Sequence, residues 1–162
     1  MRFPFLLLLA LAAVAASQPA QAKTVAQGHP EARPFEQSAN AAELVDAALV
    51  RAHNTDKQVI LVMGANWCHD SRGLAGWFAK PRFAAMLDAK YELVYVDVGH
   101  RDRNLDIARR FGIADIKGTP TVLVLSSGGA LLNRASAAQW RNAASRTEAD
   151  IFAYCDQFTP EL

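Results

Sequence analysis

Five consecutive residues, Trp67-Cys68-His69-Asp70-Ser71, concentrate most of the reactive chemistry in this chain. They follow a short apolar run, Gln58 to Met63, whose β-branched Val59, Ile60 and Val62 suit a strand covered on both faces and stopped at Gly64. A helix from Cys68 to about Ala79 can leave that strand directly, with Cys68 at its N-terminus. There, unsatisfied backbone N–H groups and the positive end of the helix dipole favour thiolate over thiol. The thiolate is the nucleophile of disulfide exchange. A protonated His69 adds to that stabilisation and Asp70 opposes it, so the two neighbours modulate the thiol in opposite senses. The bland alternative, a small buried cysteine without chemistry, fits poorly with a loop containing Asn66, His69 and Asp70. Trp67 offers a flat surface beside the thiol where a substrate can be received, whereas Trp77 and Phe78, deeper in the helix, read as core.

The N-terminus sets the compartment in which such a thiol works. Arg2 is followed by an uncharged apolar run from Phe5 to Ala16, and Ala20-Gln21-Ala22 places small residues where a signal peptidase cuts. Residues 1–22 are therefore expected to be a cleaved signal peptide, because the run is shorter than the roughly twenty residues that span a bilayer. No stable membrane anchor is expected after cleavage. Of the 17 basic residues only Arg2, and of the 16 acidic residues none, falls in 1–22, so the remainder carries no formal net charge. That balance gives no footing for a nucleic-acid or acidic-lipid partner.

The elements that must position Cys68 follow from periodicity. Residues 23–37 form an irregular lead-in, and 38–162 a single domain. Ser38 or Asn40 caps a first helix whose apolar face is Leu44, Val45, Ala48 and Leu49. After the motif come a helix from Pro81 to Ala89 with Phe83, Met86 and Leu87 inward, a strand from Tyr91 to Val98, and a helix from Asn104 to Phe111 ended by Gly112. Thr121 to Leu125 is a strand, Ser126-Ser127-Gly128-Gly129 a hairpin turn, and Ala130 to Asn133 its partner. Thr147 to Phe158 makes a last helix, with Ile151, Phe152, Tyr154 and Cys155 available to the core. Strands joined through helices pair in parallel and the tight last turn forces an antiparallel pair, so the fold is α/β with a mixed central sheet.

That order, with Trp67-Cys68-His69-Asp70-Ser71 after the first apolar strand and Gly118-Thr119-Pro120-Thr121 before the hairpin, resembles the thioredoxin superfamily from roughly Ala39 to Phe158. The resemblance implies a thioredoxin fold: a mixed sheet of about four strands flanked by helices, with an antiparallel C-terminal hairpin. It also implies a cis bond before Pro120, beside the active cysteine, leaving the backbone of Thr119 to pair with an extended substrate. In dithiol members a second cysteine follows the first by three residues and releases the mixed disulfide; here that position is Ser71, which can only donate a hydrogen bond to the thiolate. A buried aspartate six residues ahead of the first cysteine is replaced by Val62. Cys155, in the later turns of a last helix that runs away from the active end, is expected to be a core thiol unpaired with Cys68.

The resemblance therefore points to a monothiol thiol-disulfide oxidoreductase or isomerase-like protein, periplasmic or secreted. Its partners would be exported proteins with thiols or disulfides and an external thiol reductant. The competing expectation is a peptide-binding or chaperone-like module that keeps the fold without turnover. No cofactor is called for. No metal centre is expected either, since Cys68 and His69 are adjacent and neither His53 nor His100 has the spacing of a zinc pair.

Overall fold

The run Gln58–Gly64 forms β1, the central strand of a three-stranded sheet ordered β2-β1-β3, in a computed structural model that describes residues 28–37 and 40–158. The expected signal peptide and Ser38 lie outside the described residues. Every residue of β1 is buried, as a strand covered on both faces requires. β2, Tyr91–Asp97, runs parallel to it from Gln58↔Tyr91 to Gly64↔Asp97. β3, Thr121–Leu125, runs antiparallel from Met63↔Thr121 to Val59↔Leu125.

Alternation along the strands divides the core into two layers. Ile60, Val62, Val122 and Val124 face α2 (His69–Phe78), α3 (Pro81–Lys90) and α5 (Glu148–Asp156), packing on Leu74, Phe78, Phe83, Leu87 and Ile151. Val59, Leu61, Met63, Leu123 and Leu125 face the other way, onto α1 (Ala41–Thr55) and α4 (Leu105–Arg110). Pro81 sits in the first turn of α3, where its fixed φ suits the helix and its missing N–H is no loss. Gly112 ends α4 at φ 83°. Thr147 caps α5, its Oγ1 accepting from Asp150 N–H at 3.1 Å. Among the described residues no helix is long and apolar enough to cross a membrane.

Two expectations need correcting. The inward face of α1 is Ala41, Val45, Ala48 and Ala52, while Leu44 is 50% exposed and Leu49 only partly buried. Small residues at that spacing bring the helix close to the sheet, and the leucines fall to either side. The fourth strand is also absent among the described residues: beyond β3 there is a single antiparallel bridge, Leu125↔Leu131. Its place is taken by a side chain. The buried Asn133 accepts from Val124 N–H at 2.9 Å and donates to Val122 O at 2.8 Å, so its amide imitates one residue of a neighbouring strand. Leu132 N–H donates to Val124 O at 2.8 Å and Val122 N–H to Ala137 O at 2.9 Å, which completes the outer edge of β3.

The lead-in from residue 28 to 37 has no helix or strand, yet it is docked. Phe35 is buried against the Tyr95 ring at 5.3 Å, and Ala32 N–H donates to Arg72 O at 3.1 Å. Gly76 makes the approach possible: a Cβ there would lie 2.3 Å from the Pro30 carbonyl.

Candidate active site

β1 ends at Gly64 and α2 begins at His69, so the intervening turn must deliver Cys68 as the N-cap, in extended conformation at φ −79° and ψ 122°. The Cys68 N–H donates to Ala65 O at 3.1 Å, and its carbonyl accepts from Arg72 N–H at 3.0 Å, the first bond of the helix. Cys68 is 8% exposed, and its thiol donates to the Thr119 carbonyl at 3.2 Å. The Thr119–Pro120 bond is cis and leads directly into β3, which brings two segments fifty residues apart into contact at sulfur.

Trp67 is 52% exposed, with Nε1–H donating to Gly99 O at 2.9 Å and the ring stacked on His100 at 5.1 Å and 13°. The exposed plate beside the thiol is therefore a Trp67–His100 pair, and His100, unassigned by spacing, acquires a place. The turn that supports it is anchored by Asp97, whose carboxylate accepts from Gly99 N–H and pairs with Arg103 at 3.3 Å. Gly99 lies at φ 54°, where a Cβ would meet the Asp102 carboxylate at 2.2 Å.

Ser71 is completely buried, and its Oγ accepts from Ala65 N–H at a long 3.5 Å; its partner is this amide, not the Cys68 sulfur. Asp70 points away from the thiol and accepts from Ala144 N–H at 2.9 Å, tying α2 to the 3-10 turn Ala143–Ser145. His69 is exposed, with Nε2 2.8 Å from His29 Nε2 and Nδ1 3.4 Å from Glu31 Oε1.

Spacing in the sequence did not single out Arg72, one turn after Cys68. Its guanidinium donates to Asn66 O at 3.2 Å and Trp67 O at 3.0 Å, fixing the turn that carries the cysteine. It also grips Glu31 with two bonds of 2.9 and 3.3 Å. That hydrogen-bonded pairing holds the Glu31 carboxyl below the usual carboxylate range and raises the Arg72 guanidinium, which the Cys68 thiolate would also favour. From the lead-in side, Asn66 exchanges bonds with Phe35, accepting from its N–H at 3.2 Å and donating to its carbonyl at 2.8 Å. An i, i+4 search from Cys68 finds Arg72; nothing local in residues 28–37 marks Glu31 or Phe35.

Cys155 is 1% exposed in the core, and burial pushes its thiol up to about 12. Tyr91, the first residue of β2, donates to the Cys155 carbonyl, which places this cysteine by the end of the sheet remote from Cys68. The length of β1, roughly 20 Å, separates the two ends, and both thiols are free.

A family model described as thioredoxin-like matches residues 40–127. The crystal structure of a disulphide isomerase from Xylella fastidiosa Temecula1 is 31% identical, over 76% of this chain and 95% of that one, with a TM-score of 0.71. A Pseudomonas aeruginosa protein of unknown function is 19% identical over 72% and 84% with a TM-score of 0.38, too low to add to the argument. No curated protein matches. With Cys68 at the head of α2, a cis Thr119–Pro120 bond beside it and the matched span running from α1 to the turn after β3, the chain belongs to the thioredoxin-like family.

Proposed function

We propose that the protein is an exported monothiol thiol-disulfide oxidoreductase or isomerase-like protein, working in the periplasm or outside the cell on proteins that carry thiols or disulfides. The observation that carries this reading is the contact between the Cys68 thiol and the Thr119 carbonyl at 3.2 Å, which seats the nucleophile beside the backbone that precedes the cis-proline. The likeness to a disulphide isomerase and the signal-like residues 1–22 support it.

The Cys68 thiolate attacks one sulfur of a substrate disulfide; a new Cys68–substrate bond forms, the substrate bond breaks, and the second sulfur leaves as a thiolate that solvent protonates. Ser71 has no sulfur with which to displace the substrate. Release therefore falls to another thiol. A second cysteine of the same substrate gives isomerisation with no net electron transfer, and an external thiol gives reduction of the substrate at that thiol's expense. Trp67 and His100 offer the flanking surface, and Thr119 the main chain on which an extended segment pairs once the Cys68 proton has left its carbonyl.

The test is capture of a mixed disulfide. Wild-type protein incubated with a disulfide-bonded, unfolded substrate is expected to give a reducible adduct through Cys68, and Cys68→Ser is expected to give none. Equal turnover of a mixed-disulfide substrate by the two proteins defeats the enzyme reading. The competing module without turnover draws support from the low exposure of Cys68. It would be favoured by extended-peptide binding that survives Cys68→Ser unchanged, with no adduct in either protein.

A further inference from the structure

Beside the active-site turn, three side chains from two segments converge: His29 and Glu31 of the lead-in and His69 in the first turn of α2. Each can offer one ligand atom within 4.8 Å of the others. The two imidazoles meet edge to face, with centroids 4.3 Å apart and an interplanar angle of 81°, so their nitrogens approach a common point from different directions. Their Nε2 atoms are 2.8 Å apart.

With tautomers assigned from the hydrogen-bond partners, the cluster has room for one further proton or cation. His29 Nδ1 lies 3.2 Å from the Pro30 carbonyl oxygen and donates to it, which leaves His29 Nε2 as a lone pair. Without an ion, His69 directs Nε2–H at that lone pair; with both Nε2 atoms as ligands the His69 proton sits on Nδ1 instead. In the former arrangement Nδ1 faces a carboxylate oxygen of Glu31 at 3.4 Å, an arrangement of two acceptors unless a proton or a cation lies between the groups. We propose that His29, Glu31 and His69 form a binding site for one divalent transition ion of the zinc type, beside Cys68 but without its sulfur.

The donor set is the first argument for that class of ion. Two imidazoles and one carboxylate suit zinc and its neighbours, whereas calcium and magnesium take oxygen ligands. Zinc bonds of roughly 2.0–2.2 Å place tetrahedral ligands about 3.3 Å apart. Side-chain torsions supply the adjustment, the two Nε2 atoms separating from 2.8 Å while the Glu31 carboxylate draws in. The surroundings are the second argument. A metal-ligating histidine characteristically donates its other ring N–H to a carbonyl, as His29 does to Pro30, and a ligating carboxylate is itself held by a donor. Arg72 does this for Glu31, using one lone pair of each oxygen and leaving another on each. The His69 and Glu31 side chains are exposed, so a fourth position remains for water. A bound ion would join the lead-in to the helix that starts at Cys68.

Tag-free, reduced protein is titrated calorimetrically with Zn²⁺, alongside His29→Ala, His69→Ala, Cys68→Ser and His53→Ala, each verified as folded by circular dichroism. One ion per chain is expected for wild type, Cys68→Ser and His53→Ala, with affinity at least about tenfold weaker in His29→Ala and His69→Ala. Co²⁺ in the same site is expected to show four-coordinate visible bands without a thiolate charge-transfer band in the near ultraviolet. Absence of saturable Zn²⁺ binding overturns the proposal, as does unchanged affinity in both histidine variants. Binding lost in Cys68→Ser but retained in His29→Ala also overturns it, by assigning the ion to the thiol.

Discussion

Cys68 and Cys155 sit at opposite ends of one sheet, and both are buried by area. At the end of β1 the sulfur has a helix N-terminus behind it and an arginine one turn away, two features that favour negative charge, while the Thr119 carbonyl accepts from the protonated thiol. Near the start of β2 the other sulfur lies among Tyr91, Ile151 and the rest of an apolar cluster that penalises its charged form. Burial is therefore a poor guide to thiol chemistry. What separates the two residues is the surroundings of each sulfur: a helix N-terminus and a nearby guanidinium at one, apolar side chains at the other.

The widest expected contrast is in alkylation of the native protein near neutral pH. Cys68 should label at least about a thousandfold faster than Cys155, since a thiol pushed up to about 12 is almost wholly protonated there. Mass mapping after a timed iodoacetamide pulse reads this directly, and comparable labelling of the two sites breaks the comparison. Ser71→Cys sharpens it by completing a dithiol at the active end. An intramolecular disulfide between Cys68 and the introduced thiol should form, and reduction of a substrate disulfide should rise about tenfold or more in the presence of an external reductant. Failure of that bond to form would show that the Ser71 position is not aligned for resolution.

Smaller effects should follow from Arg72→Met, which removes the cation and frees the Asn66 and Trp67 carbonyls. The alkylation rate of Cys68 should fall several-fold, with partial rescue in Arg72→Lys; an unchanged rate removes Arg72 from the account. The mildest contrast concerns pH. Cys155 is raised in the folded state, so it holds its proton more tightly there than when unfolded. Its stabilising contribution is full below about 9 and is lost as pH rises toward about 12. Thermal unfolding midpoints of wild type should therefore fall across that window, and Cys155→Ala should flatten the fall after a loss of roughly 1 kcal/mol at neutral pH.

Much of this arrangement is legible in the sequence because it rests on short-range pattern. The apolar run of β1, Pro81 at a helix start, Thr147 as a cap and Gly112 as a stop each act over a few residues. The placement of Cys68 at the head of α2 follows from the strand before it. Asn133 escapes such a reading because a side-chain amide in the role of a strand leaves no periodic trace. The inward face of α1 escapes it because alanines carry the close contact while larger leucines suggest another face. The partners of His69 and Arg72 lie about forty residues earlier in an irregular segment, so only the folded chain joins them.

The Asn133 amide also bears on how the protein behaves in company. An open strand margin invites a second chain to continue the ladder, and unfolded clients of a thiol exchanger present many such strands. With all four outward groups of Val122 and Val124 already occupied, that margin offers no template for aggregation. Under the proposed function, a client strand would be turned away from the side of β3 and would meet the chain at Thr119, where the sulfur is.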